Sequence, residues 1–335
     1  MKEIRVKNIH DCLICTLPGN TLYKGLKDRL FNTPGIFNIK QCQSCGLLWL
    51  DPRPEDEDIP LCYPEGYFRA IDGGAAKQYL ERHESLVISG HAKDNTAFFP
   101  CLGEVFRRFA SVRSWATYAE GRAVPRYKSD QDGLVIDVGC GTGNYLKTMQ
   151  DLGWKVTGIE PSPIAAAIAR NKGVHVFCGT LDRAGLADAS AELVLLSHVI
   201  EHVADPGAVI KECFRILKHS GKLIVRTPNS RSYGHTVFKS DYYHLDPPRH
   251  LFLFCEKNLS MIFKANGFKI VDLRTIPRGC RSSYDHSMAI VKRGNTAMHA
   301  EAQEKGRILF AASESIRCLL GMDSGEEIAL VAQKA

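Results

Sequence analysis

The stretch that decides the fold is LVIDVGCGTGNYL, Leu134 to Leu146. A short apolar run ends in Asp137, passes through glycines at 139, 141 and 143, and enters a helical segment at Asn144. Glycine allows backbone to approach a ligand closely, and ligands of open parallel sheets lie outside the carboxyl ends of the strands. Two other readings fit part of the pattern, a tight turn without a ligand and a dinucleotide site. The dinucleotide fingerprint G-x-G-x-x-G fails at Asn144, and an acid opening the loop is unusual for cradling a pyrophosphate.

Working outward, short apolar runs alternate with helical segments, the signature of a parallel sheet with crossover helices. Strands are expected at LVID (134–137), KVTGIE (155–160), VHVF (174–177), ELVLLS (192–197), KLIVRTP (222–228), FKIVDLR (268–274) and EIALVAQK (327–334). Helices fall between them at 144–152, 163–171, 206–217 and 256–265. The fold class is α/β, a doubly wound seven-stranded Rossmann-like sheet. The second strand ends in Glu160, 19 residues beyond Gly141, followed by Pro161 and Ser162. A carboxylate there suits the two hydroxyls of a ribose, so the ligand is an adenosine-type nucleoside. An acid at the start of the loop favours S-adenosylmethionine over NAD.

DVGCGTGNY, GIEPS, LSHVIEHVADP, RILKHSGKLIVRTPN and NGFKIV together resemble a class I S-adenosylmethionine-dependent methyltransferase over about residues 130–335. The resemblance implies an antiparallel seventh strand between the fifth and sixth. It also implies that the Asp137, Gly139, Cys140, Gly141 and Gly143 loop holds the methionine part, Glu160, Pro161 and Ser162 the ribose, and Thr180 and Leu181 the adenine. Ser197 and His198 would face the transferring methyl. Relatives often place an Asp directly after the third strand, whereas here Asp182 comes later.

The amino-terminal part carries a second signature. Cys12 and Cys15 form one C-x-x-C pair and Cys42 and Cys45 another, separated by 26 residues. Two such knuckles complete a closed tetrahedral zinc site whose work is folding rather than catalysis. The division expected is a zinc ribbon over 1–65, a helical connector or cap over 66–130, and the sheet domain over 131–335 with insertions at about 230–254 and 277–323. In the connector, Leu102, Val105, Phe106, Phe109, Val112 and Trp115 recur at helical spacing with Arg107, Arg108 and Arg113 mainly opposite. The ribbon, CGLLWLDPRP and YPEGYF make the chain similar to methyltransferases of surface-polysaccharide and natural-product pathways. The sugar C-methyltransferases among them carry a further carboxyl-terminal domain absent from this length, so O-methylation moves ahead.

Bulk properties agree with a folded enzyme. The 335 residues have 44% hydrophobic and 24% charged content and a net charge of +6 without a basic run. That charge suits an anionic small substrate, such as a phosphorylated or nucleotide-linked sugar, and makes nucleic acid the less favoured partner. No signal-like segment opens the chain and no run of apolar residues reaches membrane-spanning length, so a cytoplasmic location is expected. Twelve cysteines in a reducing compartment point to metal ligation and burial rather than disulfides.

Methyl transfer to a hydroxyl or carbon acid needs alignment and a base. HVIEH places His198, Glu201 and His202 on one helical face, and quinone-type O-methyltransferases hold a divalent ion through a similar E-x-x-E-H group; a structural role is the alternative. The first insertion contains Tyr242, Tyr243, His244, Asp246, Arg249 and His250. The resemblance puts His250 where sugar C-methyltransferases place a base, with Arg249 replacing their acid; His244 is second choice, and a packing role for His250 stands beside both. The second insertion is expected to hold an amphipathic helix with Ile308, Leu309, Ile316, Leu319 and Leu320, serving as a lid or homodimer surface. Three functions are weighed: methylation of a sugar or related metabolite, methylation of an RNA base or a quinone-type hydroxyl, and a ribbon scaffold with a degenerate cofactor site.

Overall fold

A computed structural model of the chain describes residues 4–64, 133–296 and 304–335. The expected connector, 66–130, lies outside the described residues. The amino-terminal unit contains β1 (Val6–Lys7), β2 (Gly19–Leu26), β3 (Phe37–Cys42), β4 (Leu48–Asp51) and β5 (Arg53–Pro54). Its two cysteine turns are built alike. Cys12 N–H donates to Leu17 O and Thr16 N–H to Cys12 O, while Cys42 N–H donates to Leu47 O and Gly46 N–H to Cys42 O. Thr16 and Gly46, at equivalent positions, both take positive φ, 54° and 78°. The four thiols converge to within 4.8 Å of one another, the arrangement a tetrahedral ion requires.

The main domain follows with β6 (Leu134–Val138), α1 (Asn144–Asp151), β7 (Lys155–Glu160), α2 (Pro163–Asn171), β8 (Val176–Cys178), β9 (Ala191–Ser197), α3 (Pro206–Ile216) and β10 (Leu217–Pro228). After these come α4 (Tyr233–Phe238), β11 (Phe252–Leu253), α5 (Glu256–Ala265), β12 (Phe268–Ile276), α6 (Cys280–Arg293), α7 (Glu304–Leu319) and β13 (Glu327–Lys334). The sheet order is β12-β13-β10-β9-β6-β7-β8, with β13 antiparallel to both neighbours. The chain leaves β6 toward β7 on one side and later places β9 on its other side, which opens a crevice at the carboxyl ends of these strands. Helices α2 and α3 start where Ser162 and Asp205 accept from the N–H groups of Ala165 and Ala208, each with proline at the first turn.

One feature of the topology departs from a ribbon followed by a separate domain. Strand β11, from the first insertion, pairs antiparallel with β4, Phe252 opposite Trp49 and Leu253 opposite Leu48, so the amino-terminal sheet is β11-β4-β3-β2. Phe254 then bridges to Asn229 at the end of β10. The apolar run after His250 therefore ties the two units, and Phe37, Leu47, Trp49 and Leu50 join Ile136, Leu196, Val225 and Leu330 in one continuous core. The opposite face of the sheet buries a second core including Val135, Leu146, Met149 and Ile224.

The second insertion holds two helices, α6 and α7, where one was expected. Helix α7 turns Phe310, Ala311 and Glu314 inward, while Ile308, Leu309, Ile316 and Leu320 are exposed. The helical period was legible but its buried stripe was not, because a polar residue, Glu314, occupies the inward face.

Candidate active site

The loop after β6 is held by Gly139 and Cys140 N–H groups donating to Ile159 O. Gly139 has φ +70°, and a Cβ there would stand 2.6 Å from Val199 Cγ2; Gly143, φ +76°, would meet Ala169 Cβ at 2.7 Å. Both glycines are therefore required by packing. A Cβ on Gly141 would meet nothing within 4 Å, so this residue borders the open crevice. Glu160 accepts from Gly141 N–H and Ser162 N–H, both at 2.8 Å, which links the ends of β6 and β7. Burial raises its pKa against these two hydrogen bonds. Asp137 is buried, and burial pushes it up to about 7 despite Arg226 nearby. A buried acid so poorly compensated suits a cationic ligand group. Leu181 is buried at the start of a turn after β8 and Thr180 beside it is exposed.

At the end of β9 the expected methyl-facing pair enters a charge network. Arg226 donates from Nη2 to Ser197 Oγ at 2.9 Å, and its buried Nη1 has no hydrogen-bond partner among the described residues. Burial and the neighbouring Arg278 lower Arg226 to about 10. His198 has φ +54°, uncommon for a residue with a side chain. It stands between two carboxylates, Nδ1 3.3 Å from Glu201 Oε1 and Nε2 3.2 Å from Glu327 Oε1. Burial opposes its protonation, but the two acids prevail and raise it to about 9, so it is an imidazolium at neutral pH. Arg278 also reaches Glu327, whose pKa is held below the carboxylate range although burial acts the other way.

The first insertion brings the remaining histidines to the same edge. Glu201 O accepts from Leu251 and Phe252 N–H groups, docking the close of the insertion on the turn after β9. His250 Nδ1 donates to His244 O at 2.7 Å, and the His250 ring lies edge-on to His202, centroids 4.6 Å apart. His202 Nδ1 is 3.1 Å from Arg249 O and 2.9 Å from Tyr63 Oη. Burial, then His250, lowers His202 to about 4. His244 Nε2 lies 3.4 Å from Glu326 Oε1, which also accepts from Tyr242 Oη at 2.9 Å. Burial lowers His244 to about 3 and raises Glu326 to about 7. The four candidate histidines thus share one edge but not one role. His198 is protonated, whereas burial leaves His244 and His202 neutral.

Arg249 does not stand in for an acid facing the crevice. It is buried and forms a bidentate pair with Asp28 of the amino-terminal unit, 2.7 and 2.9 Å, together with two bonds to Asp246. Sequence reasoning also passed over Arg226, Arg278, Glu326 and Glu327. The signal for Arg226 and the two glutamates was a charge inside or at the mouth of an apolar strand, where burial demands a partner.

Residues 109–273 match the family model described as a methyltransferase domain. A probable S-adenosylmethionine-dependent methyltransferase from Mycolicibacterium smegmatis is 35% identical over 102 residues, covering 30% of this chain and 40% of that protein. A ubiquinone biosynthesis O-methyltransferase from Xanthomonas oryzae pv. oryzae is 36% identical over 102 residues, 28% of this chain and 43% of its own length. The chain therefore spans less than half the length of these relatives. A crystal structure of a Thermotoga maritima methyltransferase, described as a possible histamine N-methyltransferase, aligns over 70% of this chain and 97% of its own with TM-score 0.43 and 23% identity.

Proposed function

We propose that the class I S-adenosylmethionine-dependent methyltransferase domain carried by this chain methylates a hydroxyl of a small polar acceptor, a sugar or related metabolite. The observation that supports the acceptor class is the polar cluster beyond β9 and β10, where the partly exposed His198, Arg278 and His244 are backed by the buried Glu327 and Glu326. Such a cluster matches a hydroxyl-rich molecule through hydrogen bonds that an apolar acceptor would leave unmade. Cys12, Cys15, Cys42 and Cys45 hold a structural zinc ion in this reading, with every ligand position taken.

S-adenosylmethionine supplies an electrophilic methyl group on a sulfonium. Asp137 and Nη1 of Arg226, which has no hydrogen-bond partner among the described residues, would hold the ammonium and carboxylate of its methionine part, and Glu160 would hold its ribose. His244 takes the acceptor proton. Its Nε2 faces Glu326, which leaves Nδ1 as the basic atom, and burial keeps the ring neutral at pH 7. A bound donor would supply the methyl group to the acceptor oxygen, and His244 would receive the hydroxyl proton released there. His250, bonded through Nδ1 to His244 O, positions that segment. The quinone-type reading is favoured by one observation, the likeness to ubiquinone biosynthesis O-methyltransferases. Calorimetry with S-adenosylmethionine tests the domain, and a labelled-methyl screen of sugar nucleotides beside ring-hydroxyl quinone precursors tests the acceptor. Methylation of the ring compounds alone would overturn the sugar assignment.

A further inference from the structure

The end of β2 with the loop that follows it and the residues after α6 face one another across a cavity of about 630 Å3, at the seam between the amino-terminal unit and the main domain. Its two sides are tied together. Thr296 N–H donates to Arg29 O at 2.8 Å, and Arg29 Nη1 donates to Ser240 O at 2.7 Å. Three cations line the cavity, Lys27, Arg29 and Arg293, against one carboxylate, Asp28. That carboxylate is already saturated: Oδ1 accepts from Leu30 N–H, Phe31 N–H and Arg249, Oδ2 accepts from Thr33 N–H and Arg249, and the side chain is fully buried. Arg29 has Asp241 at 3.3 Å. Lys27 and Arg293 are exposed and make no hydrogen bond or ion pair among the described residues. A Cβ on Gly25 or Gly294 would meet nothing within 4 Å, so the backbone on both sides borders open space.

We infer that this cavity binds the phosphate or diphosphate group of a small phosphorylated molecule. Its volume lies in the range of small-molecule sites, and cations gathered around one concavity focus their field on a single ligand group. Two cations without partners beside a third that is paired call for a ligand charge of roughly −2, which a phosphate monoester carries at neutral pH and a carboxylate does not. Guanidinium forks and an ammonium match phosphate oxygens in geometry as well as charge. None of the cofactor-loop residues lines this cavity, so it is distinct from the crevice beside Gly141. A second, narrow cavity shares Arg29, Leu30 and Thr296 with the first and is walled further in by Tyr242 and Tyr243, the residues before His244. If the domain methylates a sugar hydroxyl, the phosphorylated end of that acceptor is held here; that role rests on the proposed function, whereas phosphate binding does not.

The test is calorimetry on the full chain at low salt with inorganic phosphate, pyrophosphate, a nucleoside diphosphate, a sugar 1-phosphate and the same sugar without phosphate. Phosphorylated compounds should bind and the bare sugar should not. Equal affinity for pyrophosphate and the nucleoside diphosphate makes the phosphates alone the recognised group, whereas a tighter nucleoside diphosphate or sugar phosphate names the larger molecule as their source. Lys27→Gln and Arg293→Gln, at exposed positions that leave the fold intact, should each weaken pyrophosphate by roughly 10-fold or more. Binding should persist when S-adenosylhomocysteine is present. Absence of binding by every phosphorylated compound, an unchanged pyrophosphate affinity in the folded double variant, or loss of pyrophosphate binding on adding S-adenosylhomocysteine overturns the inference. Calorimetry of S-adenosylmethionine on the same protein reports the cofactor site separately, so a failure of the methyltransferase reading is told apart.

Discussion

Replacing Arg249 by methionine tests how the two units are joined. Arg249 and Asp28 both have fully buried side chains, bonded at 2.7 and 2.9 Å, and the guanidinium also bonds Asp246. Methionine fills similar apolar volume and leaves two buried carboxylates without their cation. Removing one partner of a buried pair costs about 3–5 kcal/mol. Asp28 keeps its N–H donors from Leu30, Phe31 and Thr33, which places the loss toward the lower end of that range. An independent figure comes from proton linkage. Burial opposes ionisation of Asp28, but Arg249 prevails and lowers it from 3.8 to about 2. At about 1.4 kcal/mol per pH unit, the ionised form contributes about 2–3 kcal/mol. Because the folded value is depressed, this contribution is complete above about pH 4 and disappears as pH falls through about 2. Urea unfolding followed by tryptophan fluorescence reads the change, since Trp49 lies in the ribbon sheet and Trp154 in the other core. Wild type should lose stability between pH 4 and 2 more steeply than Asp28→Asn. A loss below about 1 kcal/mol in Arg249→Met at pH 7, or identical acid profiles for wild type and Asp28→Asn, would refute the assignment of this pair as the joint.

Other expectations concern the site. Glu160→Gln removes a charged acceptor from two backbone donors and from the ribose position, and should weaken S-adenosylmethionine by roughly 10- to 100-fold in calorimetry, given about 1.5–3 kcal/mol for bonds to a charged group. Gly139→Ala combines a left-handed backbone with a Cβ 2.6 Å from Val199 and should lower thermal stability by at least about 1 kcal/mol while reducing donor affinity; unchanged values would show that the turn is not fixed. His244→Gln should cut turnover by about 100-fold or more with donor affinity unchanged, and a kcat close to wild type would move the base elsewhere. Cys42→Ser should weaken metal binding by the four cysteines and also disturb the start of α5, because Asn258 Nδ2 and Lys257 Nζ bond the carbonyls of Cys45 and Ser44. Hydrogen exchange at residues 250–258 unchanged from wild type would contradict that link.

The order of strands, the glycine turn, Glu160 and the paired cysteines were legible because each depends on local requirements: backbone sign at a glycine, alternation of apolar runs, or ligand spacing. Strand positions agree closely, and β7 and β13 coincide with their expected limits. What the sequence could not express was which distant groups meet. Arg249 looked like a substituted catalytic acid until Asp28, 221 positions away, was found against it. Nothing local in the segment after His250 marked it as the edge strand of the amino-terminal sheet. His198 and His250 were equivalent candidates by residue type, and only the three-dimensional placement of Glu201 and Glu327 around one of them set it apart as a cation. Periodicity and spacing are carried by neighbours in the chain, whereas charge state and ligand sets are decided by groups that only the packed tertiary structure brings within a few ångströms.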